Sequence, residues 1–307
     1  MTPEAAFIAA MRGLATGPAA RALMDDAAVL AVGGETLVLT HDMIAEGVHF
    51  LPDDPPGDVA WKLVAVNLSD LAAKGASPLG VLLGFTLGEE GWDRAFAEGL
   101  GHALAAFDVP LLGGDTISAP VRTLGLTAIG KASGPVPARS GAKAGDLLWV
   151  SGTIGDSGAG LRALREGTDL PELIERYRLP RPRLEAGERL APLVTAMMDA
   201  SDGLLIDAKR MAAASECLVA IELETIPLSD AFLAAHGEAR LEAATAGDDY
   251  ELLFATPADS GQAVLALAEE IGLPFSRIGR FEAGAGLVLS ERGTPVPLPA
   301  RLGFEHG

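Results

Sequence analysis

The chain has 307 residues, 49% hydrophobic and 21% charged, a balance that suits about two ordinary domains with full cores. Asp plus Glu number 42 against 23 Lys plus Arg, a net charge of −19, and aromatics reach only 5%, which argues against the basic, aromatic-lined groove of a nucleic-acid binder. The longest charge-free stretch, Gly75 to Gly88, is too short and too broken by glycine and Pro78 to cross a bilayer, and a lone Cys217 excludes an intramolecular disulfide or a cysteine-built zinc site.

Near the N-terminus Glu4 stands where a secretory signal would want basic residues, so a cytoplasmic protein is the simplest reading. Ala27 to Val32 and Thr36 to Thr40 read as paired strands around a Gly33-Gly34 turn. Asp58 to Lys74 reads as a helix with Trp61, Val64, Leu68 and Leu71 on one stripe, and Asn67, Asp70 and Lys74 on a separate polar row. A strand near Gly80 to Leu87, a helix from about Trp92 to Phe107, and strands at Val109 to Leu112 and Val121 to Lys131 follow. Gly134-Pro135-Val136-Pro137 can continue neither element and marks a linker. Beyond it come strands at Asp146 to Ser151, Ala196 to Ala200, Leu218 to Leu223, Tyr250 to Thr256 and Leu287 to Ser290. Helices are expected from Gly155 to Arg165 and from Asp202 to Ser215. The fold class is therefore α/β or α+β, in two halves that we divide as 1–138 and 139–307.

Aspartates gather at element ends beside glycine. Asp25-Asp26 precedes the first strand, Asp42 ends the second, Asp115 sits in Gly113-Gly114-Asp115-Thr116 just past a short strand, and Asp199 and Asp202 flank a strand-to-helix junction. Each has an ordinary explanation alone: a turn, a helix cap, or, for Asp70, a solvated helix face. Two carboxylates ~4 Å apart repel by roughly 4 kcal/mol at an effective dielectric near 20, so converging aspartates need cations or raised pKa values. Hard oxygen ligands of this kind suit Mg²⁺. No P-loop and no Gly-x-Ser-x-Gly elbow occur, and the histidines lack metal-ligand spacing. Gly158 to Ala163 matches a loose dinucleotide pattern but does not open from the predicted strand, so it reads as a glycine-rich start to a helix.

Taken in order, Asp25-Asp26-Ala-Ala-Val-Leu, Asp42-Met-Ile-Ala-Glu-Gly-Val-His49-Phe, Asn67-Leu-Ser-Asp70-Leu-Ala-Ala-Lys-Gly-Ala, Gly113-Gly-Asp115-Thr116, Arg139-Ser-Gly-Ala-Lys-Ala-Gly-Asp146, Asp199-Ala-Ser201-Asp202-Gly203-Leu204 and Gly247-Asp248-Asp249-Tyr250-Glu251-Leu252 resemble the successive signatures of the thiamine-monophosphate kinase family. The resemblance implies a two-domain aminoimidazole ribonucleotide synthetase-like fold. Its N-terminal α/β domain would form a homodimer through its sheet, with a C-terminal α+β domain packed on it. It implies transfer of the ATP γ-phosphoryl group to thiamine monophosphate, with several Mg²⁺ ions and no general base, because the attacking phosphate oxygen is already ionised. By position, Asp26, Thr40, His41, Asp42, Asp70, Asp115, Asp199 and Asp202 would hold metal. Gly114, Asp115, Arg139 and Ser201 would meet ATP, and His49, Asp248 and Phe304 the thiamine phosphate. His41 stands where the family usually has a small hydroxyl residue, and Asp248 where Glu is common. Selenophosphate synthetase and the hydrogenase-maturation relative are disfavoured for want of a cysteine near either end. A non-catalytic nucleotide or thiamine-phosphate binder would not require every aspartate position to be filled.

Overall fold

The computed structural model describes residues 3–305. Helix α1 (Pro3–Met11) precedes a hairpin of β1 (Ala28–Val32) and β2 (Glu35–Ala45), which turns at Gly33-Gly34 as the sequence predicts. Next come α2 (Pro56–Ala73), β3 (Ala76–Leu87), α3 (Glu90–Ala106), β4 (Leu111–Ser118) and β5 (Thr123–Ala132). The five strands form one sheet in the order β1-β2-β5-β3-β4, antiparallel except for the β3–β4 pair.

The second half holds β6 (Leu147–Ser151), α4 (Asp156–Glu166), α5 (Pro171–Arg178), α6 (Leu184–Leu190), β7 (Ala196–Ala200), α7 (Leu204–Ala214) and β8 (Leu218–Glu222). It continues through α8 (Asp230–His236), α9 (Arg240–Thr245), β9 (Glu251–Thr256), α10 (Gly261–Ile271), β10 (Phe275–Glu282), β11 (Gly286–Glu291) and β12 (Thr294–Val296). Its sheet runs β12-β11-β8-β10-β6-β9-β7. One core packs β6, β8 and β9 against α7, and another fills the other face with Trp149, Phe254 and Phe275 below α6 and α10.

Three placements differ from the sequence reading. Strand β2 continues to Ala45, so Asp42 lies within it rather than at its end. Strand β4 begins at Leu111 and carries Asp115 inside it, because parallel pairing with β3 extends the short apolar run through the glycines. The polar row of α2 is not solvated: Asn67 and Lys74 are fully buried and Asp70 nearly so. The helix packs on β2, β3 and β5 on one side and on α6 and β7 on the other, so every face of its middle turns meets protein. That burial turns the helix into the shared spine of both halves. The opposite face of the first sheet stays open, with Leu30, Met43, Leu82 and Ile117 exposed and every residue of β4 accessible.

Candidate active site

Period-two alternation along β2 aims Thr40 and Asp42 at α2, and turns His41 to the other face, where its Nδ1 lies 2.9 Å from Thr127 Oγ1. The His41 side chain is thus kept away from the acids. Thr40 Oγ1 hydrogen-bonds the Asp70 carboxylate, and the Asp42 N–H donates to Asn67 Oδ1 at 2.9 Å. From the second half, Asp199 on β7 accepts a 2.6 Å bond from Ser69 Oγ of α2. Asp26, Asp42, Asp70 and Asp199 are therefore gathered around the buried polar row of α2.

Their electrostatics follow from that crowding. Burial, then the charges of Asp26 and Asp202, pushes Asp42 up to about 6. Burial, then Asp26, raises Asp199 to about 8. Asp70 is held well above the usual carboxylate range by burial and by Asp42 and Asp199. Asp26 is the exception: burial pushes it up, but Lys74, 2.8 Å from its Oδ2, and the Arg139 guanidinium outweigh that and hold it at about 2. Asp25, which the sequence reading left without a role, shares Lys74 with Asp26 and also accepts from Arg21.

Asp202 sits on the turn between β7 and α7. That turn is shaped by Asp207, whose Oδ2 accepts the backbone N–H groups of Ser201, Asp202 and Gly203 at 3.0–3.2 Å. Arg210 pairs with both Asp202 and Asp207. Ser201 O in turn accepts the Asp248 N–H at 2.7 Å, and Asp202 O accepts the Phe304 N–H at 2.8 Å. These backbone bonds draw the 247–250 loop and the C-terminal segment onto one turn.

A cavity of about 520 Å³ opens beside this cluster. Asp42, His49, Ser201, Asp202, Asp248 and Phe304 all line it, so residues expected at metal, nucleotide and substrate share one space. Lys62, hidden on α2, donates to Asp248 Oδ2 at 2.8 Å and to His49 O at 3.0 Å, with its ammonium 3.9 Å from the Tyr177 ring centroid. Lys62 lies off the Trp61 stripe, and only its burial between the two halves reveals the role.

Asp115 and Gly114 are not brought to the cluster. Asp115 pairs in register with Gly84, Gly84 with Gly125, and Gly125 with Met43, which sets it three strands from β2, roughly 14 Å away. A Cβ at Gly114 would collide with the Leu83 carbonyl, which accounts for that glycine by packing. The Gly158 to Ala163 pattern lies within α4 and cradles no phosphate loop: side chains at Gly158 and Gly160 would run into Ala246 and the Leu173 carbonyl.

Among the described residues no three His, Cys, Asp or Glu side chains close into a ready-made metal cage. Mg²⁺ commonly takes one or two carboxylates together with water and substrate phosphates, so a finished cage is not required. Hard carboxylate oxygens that burial and mutual charge hold back from ionising fit such a cation, because its charge would relieve both penalties.

The chain matches the AIR synthase related protein N-terminal domain over residues 24–132 and the corresponding C-terminal domain over 143–291. It is 40% identical to the thiamine-monophosphate kinase of Salmonella typhimurium over 300 residues, 92% of this chain and 90% of that one. The crystal structure of thiamine-monophosphate kinase from Stenotrophomonas maltophilia is 36% identical with a TM-score of 0.78, covering 94% of this chain and 95% of that one. The structure of AaThiL complexed with AMPPCP and TMP is 29% identical with a TM-score of 0.83, covering 97% and 95%. Among the described residues no helix is long and apolar enough to cross a membrane.

Proposed function

We propose that this chain, which belongs to the thiamine-monophosphate kinase family, transfers the γ-phosphoryl group of ATP to the phosphate of thiamine monophosphate, giving thiamine diphosphate and ADP. The observation that carries the reading is the shared cavity. Asp42, whose ionisation the charge of Asp202 opposes, lines it together with Asp202, His49 and Asp248. An acidic cavity that admits two phosphate substrates calls for divalent cations.

Mg²⁺ would be held by Asp26, Asp42, Asp70, Asp199 and Asp202, with Thr40 and the His41 backbone beside them. Bound there, it supplies charge neutralisation for the transferring phosphoryl group. The chain's own part is positioning. Arg139 and Ser201 would receive the nucleotide phosphates, and Asp248, with Phe304 at the rim, the cationic thiazolium. His49 would face the substrate phosphate. The acceptor oxygen is ionised at neutral pH, so no side chain need take a proton.

Residues 1–138 would supply the acid-bearing sheet and helix, and residues 139–307 the turn at Asp202 and the 247–250 loop. The open apolar face of the first sheet supports a homodimer formed through it, and Gly114 and Asp115 on β4 would then act at that face. A cytoplasmic setting goes with the use of ATP.

The test is product detection: purified protein with ATP, Mg²⁺ and thiamine monophosphate, thiamine diphosphate resolved by chromatography, and free thiamine as control. Product from the monophosphate alone, abolished by a chelator, is expected. ATP binding without product would overturn the reaction.

A further inference from the structure

Two arginines that do not line the cavity grip a segment that does. Residues 46–55 join β2 to α2, and His49 in their middle faces the cavity beside Val48. The His49 ring is set by the backbone: its Nδ1 accepts the Ala45 N–H at 3.1 Å, so the ring proton sits on Nε2. Where that proton points depends on how residues 45–49 are held.

At the first end of the segment Arg122 holds Glu46 twice. Its backbone carbonyl accepts the Glu46 N–H at 3.0 Å, and its guanidinium pairs with the Glu46 carboxylate. The same guanidinium lies 3.8 Å from the Trp92 ring centroid on α3, a pose it keeps although its buried Nε has no hydrogen-bond partner among the described residues. At the other end Asp54 is buried, and Arg178, the last residue of α5, donates from Nε to its Oδ1 at 2.8 Å. The second oxygen, Oδ2, accepts the Leu51 N–H at 2.7 Å and closes the turn that follows His49. Tyr177, beside Arg178, places its hydroxyl 3.4 Å from His49 O. Helix α5 is seated in turn by Trp61 of α2, whose Nε1 donates to Pro180 O at 2.8 Å.

A buried carboxylate needs a cation for its own sake, and that alone would account for Arg178 beside Asp54. The division of the Asp54 oxygens goes further, since one is held by α5 and the other by the turn beside His49. Glu46 is partly exposed, with 29% of its side chain accessible, so charge burial does not explain its partner. We propose that Arg122 and Arg178 are positioning residues for the phosphoryl acceptor. They fasten the two ends of the 46–54 segment and so hold the His49 Nε2–H toward the phosphate of thiamine monophosphate. The inference rests on the kinase reading above. Neither guanidinium touches substrate, and the pairing of Arg178 with Asp54 makes the aim of His49 depend on how α5 meets the first half.

The experiment is a double-mutant cycle on the purified full chain. Arg178→Gln, Arg122→Gln and Glu46→Gln are each made alone and with His49→Ala, and initial rates are measured with each substrate varied in turn. Each single variant should raise the KM for thiamine monophosphate about fivefold and leave kcat and the KM for ATP near their starting values. In the His49→Ala background the same substitutions should add no further loss, a pattern that a merely structural role would not give. Should Arg178→Gln fail to fold, the part-exposed Glu46–Arg122 pair still carries the test. Losses that add to those of His49→Ala would show that the arginines do not act through His49, and unchanged KM values would overturn the proposal equally. If the unsubstituted protein formed no thiamine diphosphate, the kinase reading would fall and this proposal with it. Activity in that control with unaffected variants would remove the positioning role alone.

Discussion

Ser69 Oγ on α2 donates a 2.6 Å hydrogen bond to Asp199 Oδ2 on β7, and both residues are buried. The bond joins a side chain of the first half to an acid of the second. It also favours the ionised carboxylate at a place where burial and Asp26 oppose ionisation. Ser69→Ala removes the donor and leaves a buried acceptor unmet, at a cost of about 1–3 kcal/mol. The variant should unfold at a lower temperature and need more Mg²⁺ for half-maximal turnover. A magnesium titration of rate that overlays the parent curve would count against Asp199 as a metal-holding group.

Asp70 is opposed by Asp42, Asp199 and Asp26 while it accepts from Thr40. Asp70→Asn deletes one of these repelling charges and keeps an acceptor for the Thr40 hydroxyl. Turnover should fall by about 10²-fold or more while the melting temperature holds or rises. Near-normal turnover at saturating Mg²⁺ would show that Asp70 contributes nothing to holding the metal.

Much of the alternating strand and helix order could be read from apolar periodicity and glycine turns, as the β1–β2 hairpin shows. The burial of α2 could not. Its Asn67–Asp70–Lys74 row has the spacing of a surface helix, and only the packing of α6 and β7 on that side makes it interior. The glycine-flanked aspartates were legible as a set, because acids at several element ends exceed what capping needs. Lys62 and Ser157 carry no local signature. Each acquires its place from a partner or a cavity wall supplied by another element: Asp248 lies 186 residues from Lys62, and the 245–248 loop packs on α4. Helices α5, α6 and α8 to α10, with β10 and β12, lie in stretches for which the sequence reading set no element.

Arg139 closes on Asp26 while its N–H donates to Asp25 at 3.2 Å, so its guanidinium is held at the edge of the acid cluster. Arg139→Ala should raise the KM for ATP about tenfold, the scale of one charge-assisted phosphate contact, and leave that for thiamine monophosphate little changed. Initial rates with each substrate varied in turn measure both. An unmoved ATP dependence would assign Arg139 to neutralising Asp26 alone.

Asp249 provides the pH dependence. Burial above all, with Asp156 and Glu251 nearby, holds its carboxyl well above the usual range despite the Gly155 N–H. The folded chain therefore keeps a proton that the unfolded chain releases near the ordinary value of 3.8. Stability from this group is full below that value and is lost as pH rises toward the raised one. Asp249→Asn keeps an acceptor that never ionises. The melting temperature of the parent, relative to the variant, should fall as pH rises from 5 to 8, by ~2–4 °C for each kcal/mol. A constant difference across that range would mean that Asp249 is ionised in the fold.

Lys62 joins His49 and Asp248, two residues expected at the thiamine phosphate, through a single buried ammonium. Its side chain is 2% exposed and that of Asp248 25%, so the pair is sheltered but not sealed. Lys62→Met preserves most of the volume and the packing on Tyr177 while removing the charge. Asp248 would then lose its cationic donor while keeping the Tyr250 hydroxyl at 3.0 Å, and the KM for thiamine monophosphate should rise about tenfold with that for ATP unchanged. Removing one partner of a buried pair is costlier than removing both, because the survivor is left uncompensated. The double variant Lys62→Met/Asp248→Asn should accordingly regain part of the stability lost in Lys62→Met, measurable as a non-additive shift in chemical denaturation. Strictly additive losses would show that the ammonium and the carboxylate act independently, with Lys62 serving only the His49 carbonyl.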